Sequence, residues 1–88
     1  ETPRFKVGLG VVPDYLFTGS GMRIDGVSQD KPAQKAGLQK GDVVVRLGDS
    51  TVTDMMSYMR ALSSFSGGDK TQAVIERDDQ TLKVQIEF

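Results

Sequence analysis

Two glycines one residue apart, in Gly8-Leu9-Gly10-Val11-Val12-Pro13, form the stretch whose composition could do chemistry. Without a Cβ, Gly8 and Gly10 can take positive φ, and successive backbone N–H groups can then converge on one point as an anion-binding concavity. The residues after the loop decide which anion. A dinucleotide fingerprint needs a third glycine where Pro13 stands, and it must open a helix. Val11 and Val12 prefer a strand instead, and the residue before a proline is driven to extended geometry. The stretch therefore reads as a carboxylate-sized nest at the head of a strand, a geometry suited to a peptide C-terminus. The same glycines also suit a plain turn, so the loop alone leaves both readings open.

Composition removes most other chemistries. A chain of 88 residues is one domain, residues 1–88, and at this size it buries only about two thirds of its unfolded surface. It begins at Glu1 without a visible signal sequence, as expected of a module excised from a larger protein. With 38% hydrophobic and 26% charged residues and no long apolar run, a globular module without membrane insertion is expected. A net charge of −1 with Lys and Arg scattered singly offers no face for nucleic acid. The absence of Cys removes disulfides and thiolate chemistry, and the absence of His removes the usual general base and the commonest metal ligand. No catalytic residue, metal site or cofactor is therefore expected, and the isolated domain is expected to be a monomer.

The elements that must position the loop are set by periodicity. Arg4-Phe5-Lys6-Val7 alternates like a half-buried strand, and the strand resumes at Val11. Residues 13–21 have neither helical nor strand period and should form a loop that tucks Leu16 or Phe17 inward. Met22 to Val27 alternates again, with Gly26 a candidate bulge. Residues 28–38 read as one short helix: Asp30 can cap, Pro32 sits in the first turn and Gly37 stops it. Gln39 to Asp42 is a tight turn, Val43 to Leu47 a buried strand, and Thr51-Val52 a brief extension.

Thr53 or Asp54 should cap the main helix, running to about Ser64. Met55, Met59 and Leu62 fall on one stripe, and Tyr58, Leu62 and Phe65 on a second. Either both stripes are core, or the Tyr58 side packs inward while Met55 and Met59 line a groove. Residues 71–77 and 81–88 should close the fold as a hairpin across Asp78-Asp79-Gln80, whose acids are turn residues rather than a metal or acid pair.

Taken together, Gly8-Leu9-Gly10-Val11, Pro32-Ala33 with Ala36-Gly37-Leu38, and Leu38-Gln39-Lys40-Gly41-Asp42-Val43-Val44 resemble the motifs of a PDZ domain, in the family's order and over nearly the whole chain. The resemblance implies a mainly β fold with two helices, a PDZ-like partly open β-barrel or sandwich of five to six strands. The late closing strand is similar to the circularly permuted arrangement of bacterial protease-associated, HtrA-like PDZ domains. Val11-Val12-Pro13-Asp14-Tyr15 and Met22 to Val27 look closest to modules appended to secreted bacterial zinc aminopeptidases.

The resemblance further implies a peptide-binding site. Backbone N–H groups of Leu9, Gly10 and Val11 would receive a terminal carboxylate, with Gly8 shaping the loop. Leu9, Val11 and Leu62 would shape the pocket for the last side chain, and Met55 and Met59 would face the groove. The peptide would add a strand beside Val11 and Val12. Met55 stands where many relatives carry a histidine, and Pro13 stands where the family's strand offers an N–H, so binding should be apolar in preference and weak. The implied role is a peptide- or C-terminus-binding module that docks substrate tails for a larger extracytoplasmic bacterial peptidase, periplasmic or secreted. The alternative is a structural or regulatory module whose groove is filled by a segment of its own parent protein.

Overall fold

A computed structural model describes residues 7–88. The expected strand over residues 4–7 lies outside them except for Val7, which packs half-buried against the core. The elements are β1 (Val11–Pro13), β2 (Met22–Val27), α1 (Pro32–Lys35), β3 (Val43–Leu47), β4 (Ser50–Thr51), α2 (Met55–Leu62), β5 (Lys70–Arg77) and β6 (Gln80–Glu87). The six strands make one antiparallel sheet in the order β1-β2-β3-β5-β6, with β4 paired to β3. It is an open sheet with β1 and β6 at its ends, mainly β with two helices, as the resemblance implies.

Alternation decides which side chains are covered. Met22 and Ile24 of β2 are buried and Val27 is half-buried. In β6, Leu82, Val84 and Ile86 point to the covered side, while Lys83, Gln85 and Glu87 face out. The β1–β2 register slips by one residue at Asp25, next to Gly26, so the expected bulge is present. The closing turn is tighter than expected. Arg77 pairs directly with Gln80, and Asp78 and Asp79 take φ of 49° and 64°, the mirror-image turn that matches strand twist.

Of three local expectations, the first is met by one of its two candidates and the other two need correction. In the loop after β1 only Phe17 tucks in, beneath the Arg23 guanidinium 5.6 Å from its ring centroid, whereas Leu16 is 89% exposed. α1 spans only four residues, and Lys31 rather than Asp30 occupies its N-cap. Asp30 itself takes φ 62° and gives its N–H to Gln34 Oε1, so its backbone cannot lead directly into a helix. α2 starts at one of its two expected caps, Asp54, but ends at Leu62 rather than near Ser64, where Ser63 and Ser64 turn their hydroxyls back onto the carbonyls of Arg60 and Ala61.

One interaction joins parts of the chain far apart in sequence. Asp42, 1% exposed, receives Arg77 Nε on Oδ1 and Arg77 Nη2 on Oδ2, both at 2.8 Å. Gln39 N–H donates to Oδ2 as well, and Arg77 Nη2 also reaches Gly37 O. The hydrogen bonds that Arg77 donates to the Asp42 carboxylate push the guanidinium pKa still higher. The turn leaving α1 is thereby fastened to the closing hairpin. Replacing Asp42 with Ala should cost about 3 kcal/mol, the low end for breaking a buried pair because Arg77 keeps some access to water. The measurement is the denaturant midpoint, and a loss under about 0.5 kcal/mol, the range of an ordinary surface change, would contradict a structural role for the pair.

Candidate peptide-binding groove

The glycine loop is held from two sides. Leu9 O accepts from Ala33 N–H at 2.8 Å, and Gly10 O accepts from Ser28 N–H at 2.8 Å. In a planar trans peptide the next N–H points opposite to the carbonyl. Gly10 N–H is therefore directed away from α1, and Val11 N–H away from β2. Among the described residues, the N–H groups of Leu9 and Gly10 donate to no protein acceptor. The successive N–H groups of Gly10 and Val11 are thus both turned away from the partners that hold the loop.

Only one of the two glycines is needed for this shape. Gly10 takes φ 82°, and a Cβ there would stand 2.1 Å from Lys31 Cβ. Gly8, for which the sequence equally allows a positive φ, does not adopt one, and a Cβ at Gly8 would meet nothing within 4 Å. The turn is achieved by a single left-handed residue.

Beyond the loop, β1 is an edge strand. Gly10 O and Asp14 N–H both bond to the β2 side, Asp14 N–H to Arg23 O at 2.8 Å. Alternation then turns residues 10, 12 and 14 toward β2 and residues 11 and 13 outward. Val11 offers both backbone groups to the free edge, and Pro13 offers only its carbonyl. Val12 is different from the expectation: its backbone faces β2, and its side chain, 51% exposed, stands on the outer face opposite Gly26. Proline is tolerated at position 13 because its missing N–H would have pointed off the sheet.

The helix beside this edge is fixed by a capping box. Asp54 Oδ1 accepts from Ser57 N–H at 2.8 Å, while Ser57 Oγ accepts from Asp54 N–H at 3.1 Å. The bonds that Ser57 N–H and Oγ donate to Oδ1 hold the Asp54 carboxyl below its ordinary pKa of 3.8. Gly21 N–H donates to Thr53 O, tying the start of β2 to the turn that launches α2. Tyr58, Ala61 and Leu62 are buried, and burial pushes the Tyr58 hydroxyl up to about 12.

The two helix stripes are not equivalent. Met55, Met59 and Val11 are half-buried and pack against the core cluster that contains Leu9 and Leu62. Leu9 and Leu62 are 1% and 7% exposed, so their side chains belong to the core. Phe65 lies elsewhere, stacked on Phe88 at 5.2 Å. Met55 also borders a cleft of about 260 Å³ that is lined by Asp14, Tyr15, Phe17, Arg23 and Asp54 as well. Sequence reasoning missed this cleft, since its walls come from a loop without period and from the helix cap.

The glycine loop thus leads into β1, an end strand of an open antiparallel sheet. The sequence matches the PDZ domain family over residues 6–88, and the chain belongs to that family. A protein of Staphylococcus aureus described as a zinc metalloprotease is 35% identical over 63 residues, 72% of this chain and 14% of its own length. The HtrA-type protease AlgW, solved with a decapeptide, superposes with a TM-score of 0.82 at 25% identity, over 93% of this chain and 28% of that one. An aminopeptidase N family protein from Idiomarina loihiensis shares the fold, with a TM-score of 0.84 at 23% identity over 94% of this chain and 14% of that one. The chain therefore spans a small part of the protease relatives it matches. Among the described residues no helix is long and apolar enough to cross a membrane.

The two loop glycines should respond differently to substitution. Gly10→Ala should destabilise the fold by more than about 1 kcal/mol, the order of the left-handed penalty with the Lys31 overlap added. Gly8→Ala should stay within about 0.5 kcal/mol of the parent. Equal losses in urea unfolding would show that the loop is shaped otherwise.

Proposed function

We propose that the groove between β1 and α2 binds the free C-terminus of a peptide, which adds a strand to the edge at Val11 while its carboxylate lies on the N–H groups of Leu9, Gly10 and Val11. The observation that carries this reading is the pair of Gly10 and Val11 N–H groups turned to the open side by the bonds from Ala33 and Ser28. The last side chain of the peptide rests over Leu9, Val11 and Leu62. Met55 and Met59 face the residue two places upstream and favour an apolar one, since a thioether is a poor hydrogen-bond partner. Gly8 acts only as a hinge of the loop, and Val12 contributes the outer rim.

The module serves a larger peptidase outside the cytoplasm, periplasmic or secreted, by holding substrate tails for a catalytic domain elsewhere in that protein. Matches to a metalloprotease and to an HtrA-type protease support this role. A second reading is favoured by Pro13. Its outward position lacks an N–H, so one bond of any added strand is missing, and a tethered segment of the same protein tolerates that loss better than a free peptide.

The test is calorimetric titration with short peptides carrying free or amidated C-termini. Binding that requires the free carboxylate and favours an apolar last residue supports the reading, and equal affinity for both forms overturns it. Pro13→Ala restores the missing donor and should tighten binding about fivefold, the equivalent of one hydrogen bond of about 1 kcal/mol. If free peptides fail with the parent but bind the full-length protein after deletion of a neighbouring segment, the groove is self-occupied.

A further inference from the structure

We propose that the cleft between α1 and β6 is a docking surface for an extended, acidic segment of a partner protein, which adds a strand to the outer edge of β6. The cleft holds about 800 Å³ and is lined by none of the residues assigned to the β1–α2 groove, so the proposal is independent of the C-terminus reading. β6 is an end strand of the sheet, and among the described residues it pairs only with β5. Phe88 N–H donates to Asp69 O at 2.9 Å and Phe88 O accepts from Gly68 N–H at 2.7 Å, so both backbone groups of Phe88 face the β5 side. Alternation then turns the N–H and C=O of Gln85 and Glu87 away from β5. Both residues line the cleft, which Pro32 and Lys35 of α1 line as well. A strand edge flanked by a helix is an arrangement that accepts an added strand.

Charge selects the occupant. Lys31, Lys35 and Lys70 border the cleft, against Asp30 and Glu87. Lys70 stands directly opposite Glu87 in the β5–β6 register, which leaves Lys31 and Lys35 with a single acid, Asp30. All three lysines are exposed, and none belongs to the ion pairs among the described residues, Arg23–Asp14, Lys40–Asp25 and Arg77–Asp42. Lys31 is the N-cap of α1 and Lys35 its last residue, so two like charges sit one turn apart on a short helix, which works against it. Acidic side chains on an added strand offset that repulsion. A second copy of this chain would bring the same lysines to the edge, and lysines at an edge discourage pairing of like with like. Pro32 and Ala36 are half-buried beside the lysines and give apolar side chains of the same segment a surface to rest on.

The probe is a short peptide alternating Glu with Val, acetylated and amidated so that it carries no terminal carboxylate, and its counterpart has Gln in place of Glu. Both are titrated calorimetrically at low and high salt against the 88-residue chain. The same titrations are run on Lys31→Gln/Lys35→Gln and on the charge-matched control Lys40→Gln/Arg60→Gln, with thermal unfolding to check each fold. The expected result is that the Glu peptide binds more tightly than the Gln peptide and is weakened by salt. Lys31→Gln/Lys35→Gln should lose about tenfold, two exposed charges at about threefold each, and the control should match the parent. N-methylation of one alternate set of the peptide's amides, but not of the other, should abolish binding, because only one set faces β6. No binding of the Glu peptide, equal affinity for the two peptides, equal losses in the two double variants or indifference to both methylated sets overturns the proposal. Binding seen only after removal of residues 1–6 assigns the edge to the start of this chain, and self-association that blocks the probe assigns it to a second copy; either overturns the proposal as well. Failure of this surface leaves the C-terminus reading standing.

Discussion

A carbonyl committed inward commits the next N–H outward, and this planarity of the peptide unit is the constraint on which the groove depends. Leu9 O is taken by the first turn of α1 and Gly10 O by the residue after β2. Together the two bonds fix the peptide planes that carry the Gly10 and Val11 N–H groups. The loop is thus pre-set by α1 and β2. Preorganisation of this kind is how a small site saves the entropy of ordering on binding.

The rest of the fold keeps those two anchors in place. α1 is a single turn with little stability of its own. It is held at its start by Leu9 O and just beyond its end by Arg77, which bonds both Gly37 O and the buried Asp42 carboxylate. Arg77 ends β5, the strand paired along its full length with β6. The most extensively paired hairpin therefore braces the turn after the least autonomous helix, whose far end carries the glycine loop. The opposite wall has its own support: the Asp54–Ser57 capping box starts α2, and Tyr58, Ala61 and Leu62 bury its inner face.

Much of this architecture is legible in the chain of residues alone. Alternation in residues 22–27 and 81–88 identifies β2 and β6, and the valine run identifies β3, because period two is a property of strand geometry itself. Gly10 is readable as the turning residue, but its difference from Gly8 is not, since a glycine permits positive φ without requiring it. The α1 cap falls one residue later than its chemistry suggests, because Asp30 is the better local capping residue. Its left-handed φ and its bond to Gln34 depend on how the chain leaves β2.

By itself the sequence determined the mainly β class, the order of the elements, and the absence of histidine and cysteine chemistry. These rest on composition and on periods of two to four residues, which are local. Tertiary structure alone decided that Val11 and Pro13 face the free edge while Val12 faces β2, for strand register cannot be read from one strand. It also decided that Leu9 and Leu62 are buried while Met55 and Met59 are half-buried, that Asp42 meets Arg77 across 35 residues, and that Lys31 lies on Gly10. Each of these pairs residues whose separation along the chain carries no signal, so only the packing of the whole sheet and both helices could bring them together.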